Sequence, residues 1–168
     1  MSLSMYEASI PVFIRSLNNL SAILDKAVAS AEARKIDPSV LIQARLAPDM
    51  HPLPRQIQIA TDGAKGCAAR LAGVEVPSFP DTETTFPELK ARLAKTVDFL
   101  QSITESQVDG SEERPVTLKF PGNELTFTGK SFLFGFALPN LFFHVTAAYA
   151  ILRHNGVDVG KMDYLGRP

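Results

Sequence analysis

Asn140 and His144 are polar residues set four apart in a run of apolar ones, which puts them on one face of a helix. That run, FLFGFALPNLFFHVTAAYAIL from Phe132 to Leu152, carries no formal charge. A polar group enclosed by apolar neighbours needs a partner. The plain role for His144 is a core imidazole satisfied by one hydrogen bond. The sharper roles are a general base, a group that orients a ligand, or a metal ligand. On an earlier segment Arg55, Gln58, Asp62 and Lys65 recur at steps of three and four. They form either a solvated edge or a wall, with Gln58 and Asp62 turned toward the Asn140–His144 notch. An Asp62 carboxylate beside His144 would raise the imidazole pKa, while burial would lower it. Tyr149 is expected to hydrogen-bond through its hydroxyl from within the core. The candidate site is therefore His144 as the catalytic group, with Gln58, Asp62, Asn140 and Tyr149 lining a pocket.

The other reactive side chains point away from chemistry. Cys67, the one cysteine, sits on an apolar stripe among small neighbours, with nothing to activate its thiol. His51 lies in a proline-rich turn and reads as a surface residue near the end of a helix. His154, ten residues beyond His144, belongs with Arg153 to a helix C-terminus, where cations suit the dipole. Lys161 and Asp163 are expected to pair and clamp the tail. The chain has no phosphate-binding glycine loop, nucleophile elbow or zinc-finger spacing.

Four long segments must position these residues. Ser4–Glu7 has capping-box spacing, and Ile10, Ile14, Leu17, Leu20, Leu24, Val28 and Ala31 make one stripe through Arg34. Pro11 either kinks this helix or marks a later start. Asp37-Pro38 opens a short helix through Leu46. Three prolines then break the chain from Ala47 to Pro54. The second long helix carries Leu53, Ile57, Ala60, Ala64, Cys67 and Leu71 and stops at Gly73. Its Gly63, Gly66, Ala68 and Ala69 would let a neighbouring helix approach closely. After a loop from Val74 to Thr84, the capping box Thr85–Glu88 opens a third helix on Leu89, Leu93, Val97, Leu100 and Ile103. Residues 105–114 are polar. Val116–Phe120 and Leu125–Thr128 alternate around Pro121-Gly122-Asn123-Glu124, a β-hairpin. The fourth helix spans Ser131–Asn155, bent where Pro139 frees the Gly135 carbonyl and stopped by Gly156. The last dozen residues read as extended. The expected fold is all-α: an up-down four-helix bundle in one domain, residues 1–168, with a short hairpin between the third and fourth helices.

Composition narrows the class. Of 168 residues, 45% are apolar and 21% charged, the balance of a soluble globular protein. A net charge of −1 draws neither nucleic acid nor an anionic membrane. One cysteine permits no internal disulfide, which suits a reducing cytoplasm, and the N-terminus lacks the pattern of a secretory signal. Phe132–Leu152 is long enough to span a bilayer, but Pro139, Asn140, His144 and Thr146 near its middle favour burial among the other helices.

The segments RLAPDM (Arg45–Met50), RQIQIATDGAKGCAARLAG (Arg55–Gly73) and PNLFFHVTAAYAILRHNGV with GK-D-YLG (Pro139–Gly166), in this helix order, resemble the DinB/YfiT-like superfamily of four-helix bundles. More closely, they resemble an uncharacterised bacterial branch of it. The resemblance implies a divalent metal, zinc or nickel, among three histidines, and in some members thiol-dependent transfer or isomerisation. Only His144 matches, as the first histidine of a pair on the fourth helix. Ala148 stands four residues later, and the second-helix counterpart falls near Gln58 or Ile59. A lone imidazole would not hold such a metal, since these sites take three or four protein ligands.

Three functions follow as expectations. The first is a small-molecule binder with a pocket between the second and fourth helices and the metal site incomplete. The second is a metal-dependent hydrolase or thiol transferase using an unorthodox site around His144. The third is a homodimeric interaction module without catalysis.

Overall fold

The computed structural model describes residues 4–166. Its elements are helices α1 (Ile10–Ala33), α2 (Pro38–Gln43), α3 (Leu53–Ala72), α4 (Phe86–Gln101) and α5 (Glu105–Val108), strands β1 (Pro115–Phe120) and β2 (Asn123–Thr128), and helices α6 (Gly129–Phe132), α7 (Leu138–His154) and α8 (Lys161–Leu165). A π-helical turn, Leu133–Ala137, joins α6 to α7 without a break. The protein is mostly helical, with one two-stranded hairpin.

The apolar stripes become the core. Phe13, Leu17, Leu20 and Leu24 of α1, Leu53, Ile57, Ala60 and Ala64 of α3, and Leu89, Leu93 and Leu100 of α4 are almost wholly removed from water, as are Leu141, Ala148 and Ile151 of α7. α3 packs against both α4 and α7, and α1 closes the other side against the same two helices. Cys67 lies inside this core, and burial pushes its thiol pKa well above the ordinary value.

Local chemistry sets the helix ends. Thr85 and Glu88 form the expected reciprocal box at the start of α4. Gly73 ends α3 at a φ of +72°, a left-handed position that a side chain would strain. Pro11 sits in the first turn of α1, so it marks a later start rather than a kink, and residues 5–9 form turns before it. The α2 helix is shorter than expected, ending at Gln43.

Three expectations are corrected. The tail is not wholly extended: Lys161–Leu165 is helical and packs on α1. Asp163 pairs there with Lys26 at 2.7 Å and accepts the Gly160 amide at 2.7 Å, so it does not clamp Lys161. The hairpin turn takes two residues, Pro121-Gly122, because Phe120 already pairs with Asn123. The fourth helix is apolar throughout but not buried throughout. Phe134, Phe142 and Phe143 are 44%, 40% and 58% exposed on its outer face. The continuous helix Gly129–His154 is long and apolar enough to cross a membrane by length and composition, with 39% of its most apolar window buried inside the protein.

Pro139 explains the π turn. It has no amide hydrogen to offer the carbonyl four residues back. The chain widens just before it, and the Leu138 amide reaches the Leu133 carbonyl, five residues away.

Candidate functional site

α3 and α7 lie side by side, and the polar residues of each meet at two places along their interface. At the first, His144 Nδ1 lies 2.7 Å from Gln56 Oε1. Gln56 is 1% exposed, and its Nε2 donates to the His51 carbonyl at 3.0 Å. The direction of that second bond decides the first. With Nε2 donating, Oε1 accepts, so the imidazole donates from Nδ1. The Nε2 lone pair of His144 is left to face outward from a half-buried ring, whose edge meets Phe143. Burial, then the nearby charges of His51 and Arg55, hold the His144 pKa below the ordinary histidine value. The ring is thus a fixed tautomer, neutral at physiological pH, with one basic nitrogen on offer.

At the second place, Asp62 and Asn140 line one cleft of about 220 Å³ between α3, the π turn and the hairpin. Phe132 and Phe136 of the fourth helix stack at 5.9 Å to form an apolar wall. Arg70 and Lys119 enter from α3 and β1. Two helical glycines make room. A Cβ at Gly63 would stand 3.0 Å from Asn140 Nδ2, and one at Gly66 only 2.6 Å from Arg70 Nη1. The small residues of α3 therefore seat two polar side chains, beyond any closeness they allow between helices.

The expected wall divides. Asn140 and Asp62 share the cleft. Gln58 turns the other way, donating to Glu83 at 3.0 Å from a buried position. Tyr149 faces the tail, its hydroxyl 3.4 Å from the Val159 carbonyl and its ring against Tyr164. His144 meets Gln56, a residue the spacing argument passed over, in place of Gln58 or Asp62. A signal was present: Gln56 lies three residues after Leu53 and four before Ala60, on the core side of the stripe. A polar residue there must find a buried partner.

Asp62 also belongs to an ion cluster that ties the 74–84 loop to α3 and α4. Arg92, with 1% of its side chain exposed, donates to Asp62 at 2.8 Å, Asp81 at 3.0 Å and Glu83 at 3.1 Å. It also donates to Thr61 at 2.8 Å. Lys65 completes the neutralisation of Asp62 at 2.8 Å. Burial pushes the Glu83 pKa up. Its own backbone amide, Arg92 and Gln58 outweigh that and hold the carboxyl below its usual range.

The residues do not fit a three-histidine metal centre. Opposite His144 stands the carboxamide of Gln56, and four residues on stands Ala148. Among the described residues no group of three His, Cys, Asp or Glu is placed to hold a metal ion.

The chain matches a family model, Domain of unknown function (DUF1993), over residues 5–165. It is also similar to a solved structure, the crystal structure of a DinB family member protein from Shewanella denitrificans. The identity is 44%, the alignment covers 97% of this chain and 92% of that one, and the TM-score is 0.88. No curated protein matches the chain.

Proposed function

Since the chain belongs to the DUF1993 family and is DinB-like, we propose that it is an up-down four-helix bundle of that type which binds a small molecule between α3 and α7 without a histidine-triad metal. The observation that supports this reading is the convergence of Asp62 and Asn140 on a cleft walled by Phe132 and Phe136. Concave, partly apolar sites with a few convergent polar groups are the usual form of a small-molecule site. Gln58 and Tyr149 support the site from behind, through Glu83 and the tail. His144 stands one turn from Asn140 as the basic group at the far side. The lone, buried Cys67 suits a reducing cytoplasm. Fragment screening by amide NMR tests the proposal. Binders should shift Gly63, Ala137 and Asn140 together. A screen in which no fragment moves these residues refutes it.

One observation favours a second reading, a homodimer. Leu46, Phe142 and Phe143 line one apolar groove on the outer face of α7. Exposed apolar patches on soluble proteins mark interaction sites. A second copy would cover the groove by presenting the same uncharged face, as a two-fold interface requires. The enzymatic alternative, a hydrolase or thiol transferase acting through a metal at His144, gains no support from the ligand set present.

A further inference from the structure

The cleft between α3, the π turn and the hairpin has an unbalanced charge. Of its three charged residues, Asp62 is already neutralised, since Lys65 and Arg92 both approach its Oδ1 at 2.8 Å. The other two are cations. Arg70 donates from Nη1 to the Gly66 carbonyl at 2.8 Å, which fixes the guanidinium in place. Among the described residues no carboxylate pairs with Arg70 or with Lys119. A half-buried guanidinium with no counter-ion, held still and aimed along a cleft, is preorganised to receive an anion.

The helix itself bears the mark of this arrangement. Glycine inside a helix costs roughly 1 kcal/mol relative to alanine. α3 carries two, three residues apart, in the cleft wall. At both, the missing Cβ is the space a polar side chain occupies: the Asn140 amide over Gly63 and the Arg70 guanidinium over Gly66. Local rules broken without gain in packing are expected where a site is built.

Resting on the small-molecule reading above, we propose that the cleft takes a compact monocarboxylate with a flat apolar body. The carboxylate would sit on the free edge of the Arg70 guanidinium, where two parallel N–H donors match its two oxygens. Lys119 would add charge from the rim, and the Asn140 amide would donate from α7. The apolar body would lie along Phe132 and Phe136, whose rings are 16° from parallel. The volume, about 220 Å³, is below the ~300–1,000 Å³ of drug-sized sites, so the ligand is small. A phosphate fits worse. It brings more negative charge toward the Asp62 carboxylate and has no apolar part for the phenyl wall.

Benzoate, benzamide and inorganic phosphate are the probes, titrated into the full chain by amide NMR. Benzoate should saturate shifts at Gly63, Arg70 and Asn140. Benzamide, of the same shape without the charge, should bind roughly tenfold more weakly, the loss expected for a charge-assisted bond of ~1.5 kcal/mol or more. Phosphate should leave these residues unmoved. Arg70→Gln should weaken benzoate by about the same factor, and Lys119→Gln, on an exposed strand position that leaves folding intact, by less. Equal binding of benzoate and benzamide, or full benzoate affinity in Arg70→Gln, overturns the carboxylate assignment while leaving the cleft as a binding site. Tighter binding of phosphate overturns it too. No binding of either aromatic probe overturns both this assignment and the small-molecule reading.

Discussion

Replacing Arg92 with methionine tests whether the 74–84 loop is pinned by its ion cluster. Arg92 is the hub: it meets Asp62, Asp81 and Glu83 with its guanidinium and Thr61 with Nε, from a side chain 1% exposed. Breaking a buried ion pair by removing one partner costs about 3–5 kcal/mol, because a charge is left behind. Here Asp62 and Asp81 are each 38% exposed and can recover water, so the lower figure applies. Lys65 also stays with Asp62, and Thr61 keeps its bond to the Gln58 carbonyl. A loss of ~3 kcal/mol lowers the melting temperature of a chain this size by roughly 6–12 °C. Circular dichroism melts at neutral pH measure it. The pH dependence has a definite sign. A carboxylate whose folded pKa lies below its unfolded one stabilises the fold above the unfolded value, and this is lost as pH falls through the folded one. Glu83 is such a group, so the gap between wild type and Arg92→Met should narrow as pH drops below about 4.5. A neutral-pH difference under about 2 °C, or a gap that widens in acid, would refute the reasoning.

Two further outcomes are expected. His144 should titrate below the usual histidine value of ~6.5 and show the Nδ1–H tautomer by long-range nitrogen NMR. Because its folded pKa is depressed, it takes stability away as pH falls below the unfolded value. Gln56→Glu should reverse this, raising the midpoint by roughly one unit or more, since a carboxylate would then face Nδ1 at 2.7 Å. A midpoint unmoved by that substitution would show the pair is not formed. For the homodimer, light scattering should give twice the chain mass for the wild type and the chain mass for Phe143→Glu, with melting temperature retained. A monomeric wild type would end that reading.

The helices were legible because stripes at steps of three and four survive any choice of partner, and because Thr85–Glu88 and Gly73 mark ends by local chemistry alone. The hairpin was legible from alternation around Pro121-Gly122. Pairings between distant segments were not. His144 and Gln56 are 88 residues apart, and periodicity gives the face of each residue without saying which face it meets. The same limit separated Gln58 from the cleft, because Glu83, on a loop with no periodicity at all, claims it first. The exposed phenylalanines of α7 escaped notice for another reason. A helix apolar on every side leaves no polar stripe to tell which side faces out.

The widened turn at Leu133–Ala137 inserts, in effect, one spare residue ahead of α7. Deleting one residue there would restore ordinary pitch and so relieve the backbone, yet it would rotate everything downstream by about 100°. Asn140 and His144 would swing away from α3 and the outward phenylalanines would turn in. Which side chains greet Gly63 and Gln56 is therefore governed by a counting irregularity a full turn upstream, and a shortened relative could keep the same scaffold while presenting a different set of groups.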